Sequence, residues 1–145
     1  MSRVMIPLIV FTILSLDQLT KFVVNKNLGL NHSLAVISGI FSITLVHNRG
    51  AAFGIFKNQF WLFIFISVVA VIMIYSILKD NRQNNSYAFS LSLILAGALG
   101  NLIDRISLGY VVDFLDFHIW PVFNFADSAI TIGAVFLGWS ILKAK

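Results

Sequence analysis

The sequence predicts an all-α membrane protein: four transmembrane helices carrying a small extracytoplasmic β-rich cradle. Three observations predict it. The 145 residues are 59% hydrophobic and only 11% charged, whereas soluble domains average about 25% charged. The apolar excess sits in four runs, residues 4–24, 60–78, 87–103 and 122–142, each near the roughly 17–25 residues a helix needs to cross a hydrocarbon core. The segment 25–58 is too long for a mere connector, and the segment 110–120 is rich in β-branched and aromatic residues. One membrane-embedded domain over residues 1–145 is the expected organisation.

Composition also excludes several classes. There are no cysteines, so disulfides, thiolate nucleophiles and cysteine metal sites are ruled out. The net charge of +4 comes from scattered basic residues that form no patch, which argues against a nucleic-acid partner. The first run is a poor cleavable signal peptide, because it holds Asp17 and Lys21 and is followed by three more spans.

Span 1 ends in DQLTK, where Asp17 and Lys21 stand four apart. That spacing puts them on one helix face in the favourable order, as a pair that neutralises itself in an apolar setting. In the following loop, Phe41-Ser42-Ile43-Thr44-Leu45 alternates apolar and polar residues, a strand signal. NRGAAFG from Asn48 follows, with Gly50 and Gly54 allowing a turn or close backbone approach. Parts of the two loops are predicted to form a sheet or cradle at the membrane face. The alternative is that they lie flat among the headgroups.

Span 2 carries no charge and reads as lipid-facing scaffold. Span 3 ends in GALGNLIDR, where Gly97, Asn101 and Asp104 fall at i, i+4 and i+7 on one stripe. Adjacent Asp104 and Arg105 do not face each other, so each is expected to have its own partner. Span 4 repeats the pattern with Asn124, Asp127, Ser128 and Thr131. The pairs Ala96/Gly100, Ala129/Gly133 and Ala134/Gly138 would each let another helix approach closely. His32, His47 and His118 lack metal-ligand spacing and read as loop residues.

The segment 109–131, GYVVDFLDFHIWPVFNFADSAIT, gathers three of the chain's six acids: Asp113, Asp116 and Asp127. Asp127 stands five residues into its apolar run, about 7 Å at a rise of 1.5 Å per residue. A carboxylate at such a place is costly and usually faces a bundle interior or cavity. Following the chain through its four spans brings Asp17, Lys21, Asn48, Asn101, Asp104, Arg105, Asp113, Asn124 and Asp127 to the same face. Two carboxylates in one partly dry pocket cannot both ionise easily, so one keeps a proton. Such a pair activates a water and protonates a leaving amine. Asp113 and Asp116 compete as partner of Asp127, since on a strand only one of them can point at it. Spacing does not choose between them, and Asp127 simply complementing a helix N-terminus is the plainer alternative.

The chain resembles the lipoprotein signal peptidases, the type II bacterial signal peptidases. The resemblance covers nearly the whole chain through DQLTK at Asp17, NRGAAFG at Asn48, GNLIDR at Gly100, VVDF at Val111 and FNFADS at Phe123. It implies an intramembrane aspartic endopeptidase with Asp113 and Asp127 as catalytic residues. Asp17, Lys21, Asn48, Gly50, Asn101, Asp104, Arg105, Asn124 and Ala126 would shape the pocket and hold the substrate. The implied reaction is cleavage of diacylglyceryl-modified prolipoproteins on the amino side of the lipidated cysteine, with no cofactor or metal. Partners would be these substrates and membrane lipids, with the enzyme a monomer.

Basic residues divide equally between the two sides of the membrane. Setting aside Lys21 and Arg105, which lie in or at spans, leaves a bias toward cytoplasmic termini. The bacterial inner membrane is the implied location, with the site on its extracytoplasmic face. The competing reading is a small proton- or ion-coupled transporter, since membrane carboxylates also relay protons. Transporter sites favour the midplane between repeated halves, whereas these acids cluster at one face and spans 1–2 do not visibly repeat in spans 3–4. A non-enzymatic subunit of a membrane complex, its polar stripes acting as inter-helix glue, is a third reading.

Overall fold

The computed structural model describes residues 4–50 and 59–143. Four helices, α1 (Met5–Asn27), α2 (Phe60–Asn81), α3 (Asn85–Leu108) and α4 (Phe125–Lys143), are long and apolar enough to span a membrane. Three strands, β1 (Ser33–Ile37), β2 (Phe41–Asn48) and β3 (Val111–Asp116), form one antiparallel sheet in the order β1-β2-β3. The predicted cradle is therefore a real sheet. The strand signal at 41–45 marks β2, and β1 is the hairpin partner that alternation did not reveal. All five β1 residues are exposed, so no buried face imposed a period on them.

Helix α3 is the central element. Just over half of its apolar stretch is buried, against less than a fifth in each other helix. It packs on α1, α2 and α4. Asn84 caps its start by accepting hydrogen bonds from the Ser86 and Tyr87 amides. Gly109, with φ of 81° at the other end, supplies the left-handed residue that closes the helix and turns the chain into β3. Helix α2 buries only Leu78 and is the lipid-facing scaffold expected of it.

Small residues set how closely α3 and α4 approach. A Cβ added at Gly97 would collide with the Ala126 carbonyl, and one at Gly133 would come within 2.7 Å of the Ser90 carbonyl. At Gly100 an added Cβ would lie 2.5 Å from an Asp17 carboxylate oxygen, so α1 closes on the same seam. The Ala134/Gly138 pair does not pack this way. Both residues are exposed and nothing lies within 4 Å of a Cβ at Gly138. The bundle uses one small-residue face of α4, and the other is left to lipid.

Helix α4 begins at Phe125, not within the apolar run at 122. Phe123 is taken by the sheet instead: it exchanges backbone hydrogen bonds with Leu115 and accepts one from the Phe114 amide. Asp127 accordingly lies in the first helical turn, shallower than the position reckoned from the start of the run.

Substituting Gly97→Leu is expected to cost about 1–3 kcal/mol through overpacking against Ala126 and Ile130. It should lower the unfolding midpoint in detergent, whereas Gly138→Leu should leave it unchanged. Equal midpoints for the two variants would contradict the packing described.

Candidate active site

Helix α1 buries only Asp17 and Lys21, so this charged pair faces inward while most of its apolar residues face outward. The Lys21 ammonium donates to Asp17 Oδ2 at 2.8 Å, to Asp104 Oδ2 at 3.0 Å and to Asn101 Oδ1 at 3.0 Å. An ammonium has three protons, and each finds an acceptor. The expected Asp17–Lys21 pair is present, but it is part of a cluster that also draws in Asp104. Both carboxylates have second duties: Asp17 Oδ1 accepts the Ala126 amide at 2.9 Å, and Asp104 Oδ2 accepts the Val112 amide at 3.0 Å. The cluster thus fixes the first turn of α4 and the start of β3.

Gln18 belongs to this cluster and sequence reasoning passed over it. Its amide donates to Asp104 Oδ1 at 3.0 Å, and to the Gly100 carbonyl and Asp17 Oδ2 at 3.2 Å each. Its place inside DQLTK was the available signal. Arg105 has partners distinct from those of Asp104, as helix geometry required. It donates to the Asn101 carbonyl at 3.2 Å and lies over the Phe63 ring, within electrostatic reach of Asp127 and Asp113.

Two further carboxylates stand beyond the cluster, bridged by asparagine amides. Asn101 donates to Asp127 Oδ1 at 2.8 Å, and Asn124 donates to Asp113 Oδ1 at 2.7 Å. The two asparagines are themselves joined, Asn124 donating to Asn101 Oδ1 at 3.1 Å. Asn124 also caps α4: its Oδ1 accepts the Asp127 amide at 2.8 Å, and Asp127 Oδ2 accepts the Asn124 amide at 3.4 Å. This is the reciprocal geometry of a capping box. Asp127 complements its helix terminus and is linked to Asp113 through Asn101 and Asn124.

Strand register gives Asp113 and Asp116 different surroundings. Asp113 pairs with Val46, and Asn48, two residues further along the same face of β2, donates to Asp113 Oδ2 at 2.9 Å. Asn48 Oδ1 in turn accepts the Gly50 amide; Gly54 and the rest of NRGAAFG beyond Gly50 lie outside the described residues. Asp116 instead accepts the Thr44 hydroxyl at 2.7 Å and the His118 amide at 2.9 Å. Aromatic contacts between Phe114 and Phe125, and between Phe117 and Phe123, clamp the strand to the entrance of α4.

The two strand acids differ electrostatically. Burial pushes the Asp113 carboxyl up to about 7, and the nearby Asp127 charge adds to the rise, against hydrogen bonds from Asn48 and Asn124 and attraction to Lys21. For Asp116 burial is again the largest influence and acts upward. The hydrogen bonds from Thr44 and the His118 amide, with the His118 ring nearby, nevertheless leave it below the usual carboxylate range. Asp113 is thus the strand acid that keeps its proton near neutrality.

The histidines are structural where they are engaged. His47 lies in β2, not in a loop. It stacks on Tyr110 with centroids 3.9 Å apart and contacts Asn25 Oδ1 at 2.9 Å. Among the described residues no cluster of three or more metal-ligating side chains occurs, and every buried side-chain polar atom has a hydrogen-bond partner.

Fold and site define a small polytopic membrane protein in which five of six acids gather at one end of the bundle, next to a sheet. Residues 9–143 match the family described as Signal peptidase (SPase) II. The lipoprotein signal peptidase of Halothermothrix orenii is 46% identical over 92% of both chains. That of Moorella thermoacetica is 47% identical over 93% of this chain and 91% of its own. A bacterial membrane enzyme solved by the in meso method superposes with a TM-score of 0.91 at 36% identity, covering 97% of this chain and 89% of that one. The chain belongs to the signal peptidase II family. It is a multi-pass bacterial membrane protein and a peptidase.

Replacing Lys21 by Met is expected to cost about 3–5 kcal/mol, because Asp17 and Asp104 would stay buried without their cation. Unfolding in detergent checks this. Adding Asp104→Asn to that variant should restore part of the loss, while Lys26→Met on the exposed surface should change stability by no more than about 0.5 kcal/mol.

Proposed function

We propose that this signal peptidase is an intramembrane aspartic endopeptidase whose catalytic pair is Asp113 and Asp127. The observation that carries the reading is the pair itself, two acids bridged by Asn124 and Asn101, with Asp113 raised to about 7. The ionised member takes a proton from a water, whose oxygen attacks the scissile carbonyl carbon. The protonated member gives its proton to the carbonyl oxygen, leaving a tetrahedral diol. Return of a proton to the amide nitrogen and breaking of the C–N bond then release the amine.

The substrate is a diacylglyceryl-modified prolipoprotein, cut on the amino side of its lipidated cysteine. A lipid-anchored cysteine holds that bond near the membrane surface. This suits an acid in the first turn of α4 and a partner on a strand. Asn48, Gly50, Asn101, Asn124 and Ala126 hold the two acids in register. Asp17, Lys21 and Asp104 brace them, and Arg105 faces both. The chain works as a single-domain monomer among membrane lipids, its termini cytoplasmic and its site extracytoplasmic.

Purified wild type should cut a diacylglyceryl-modified lipobox peptide before the cysteine, as read by mass spectrometry. Folded Asp113→Asn and Asp127→Asn variants should each lose about 10²–10⁴-fold in rate or more. Wild-type rates in both variants would remove the pair from the chemistry. A folded wild type inert on lipidated peptide would shift attention to proton transport in liposomes.

The pH profile follows from the shared proton. A carboxyl titrating at about 7 is neutral below that pH and ionised above it, so the rate should fall about tenfold per pH unit on the alkaline side of about 7. The midpoint belongs to the pair, not to one residue. A rate flat to pH 9 would contradict the mechanism.

A further inference from the structure

At the end of the bundle opposite Asp113 and Asp127, the first turns of α3 and the last turns of α4 line an open cavity of about 610 Å³. Its wall is polar on one side, with Asn85, Ser86 and Lys143, and aromatic on the other, with Phe89, Phe136 and Trp139. Phe89 and Phe136 meet edge to face in its wall, with centroids 6.0 Å apart. A second, apolar hollow of about 460 Å³ runs along α4 beside Ala134 and Gly138 and shares Phe136 and Trp139 with the first. The polar cavity and the apolar trough thus meet at these two rings on the exposed side of α4, where Trp139 is 59% and Leu142 70% exposed.

We infer that the two hollows hold one anionic phospholipid of the adjoining leaflet, its phosphate against Lys143 and an acyl chain in the trough beside Ala134 and Gly138. The volumes are those of ligand-sized sites, and a hollow facing hydrocarbon forfeits dispersion contacts unless a chain fills it. Charge selects the headgroup. The Lys143 side chain is exposed, and its ammonium lies 5.0 Å over the Trp139 ring. Lys79 and Arg82 stand at the same end with one acid, Asp80, so this end is positive and draws anionic lipid. The α3 terminus is not the attraction, because Asn84 already takes the Ser86 and Tyr87 amides. Trp139 has the place of an interfacial aromatic at headgroup level. A second copy packed in parallel through α4 would have no acid to offer Lys143, since the one acid of that helix, Asp127, is at its far end.

The test is native mass spectrometry of delipidated protein in detergent, titrated with phosphatidylglycerol, phosphatidylethanolamine or inorganic phosphate. One phosphatidylglycerol should be retained, about fivefold more tightly than phosphatidylethanolamine, the scale of one surface cation acting on an anionic leaflet. Lys143→Ala should remove that preference. Gly138→Leu, which fills the trough without touching the cation, should weaken both lipids. Equal retention of the two lipids, or an unchanged preference in Lys143→Ala, would overturn the inference. So would displacement of the lipid by inorganic phosphate at equal concentration, or a dimer that excludes lipid.

Discussion

The buried Lys21 ammonium is the constraint on which the rest of the structure depends. In a bundle whose outer surface meets lipid, a charge cannot be left without partners. This one is satisfied only if Asp17, Asp104 and Asn101 converge on it. Convergence fixes the rotation of α1 against α3. The second oxygen of Asp17 then fixes the Ala126 amide, and Asp104 fixes the Val112 amide. One cation thereby determines where α4 starts and where β3 starts, the two places from which Asp127 and Asp113 project. Buried ion clusters contribute little net stability compared with apolar packing. What this one contributes is a unique arrangement of three helices and a strand.

The two kinds of buried acid are separated by the chemistry of their neighbours. Asp17 and Asp104 meet a cation. Asp113 and Asp127 meet asparagine amides, which donate hydrogen bonds without carrying charge. A lysine in place of Asn124 would favour the ionised form of both acids and abolish the shared proton that the proposed mechanism needs. With neutral donors, orientation is fixed while ionisation stays adjustable. Lys21 still reaches Asp113 as a weak attraction through the dielectric, so the cluster tempers the pair without neutralising it.

Much of this was legible in the sequence. The four spans followed from run length, and the i, i+4, i+7 stripe of Gly97, Asn101 and Asp104 foretold the face that α3 turns inward. The sidedness of the acids followed from counting crossings. What the sequence withheld was set by pairing between distant segments. Asp113 is distinguished from Asp116 by a register that includes an irregularity between Ile43 and Val46, and spacing alone carries no trace of it. The start of α4 was misplaced because Val122 and Phe123 are as apolar as a span, and only the bridge to Leu115 removes them from it. The Ala134/Gly138 pair shows the limit of small-residue spacing, which marks where a helix can approach without saying that one does.

The sheet also explains why hydrolysis and a membrane fold coexist here. A strand with an open edge leaves backbone amides and carbonyls unpaired, and hydrocarbon cannot satisfy them. Among the described residues β1 is such an edge, paired on one side only and exposed along its length. The sheet must therefore lie where water or headgroups reach it. Asp113 is carried by the sheet, and Asp127 is tied to it through Asn124, so both acids are held at the same boundary. On the proposed mechanism, the same carboxylates deeper in the bundle would lack the water that hydrolysis consumes, and farther out they would lose the burial that raises Asp113. The fold positions them between those limits by anchoring one acid to the first turn of a span and the other to a strand that cannot enter the bilayer.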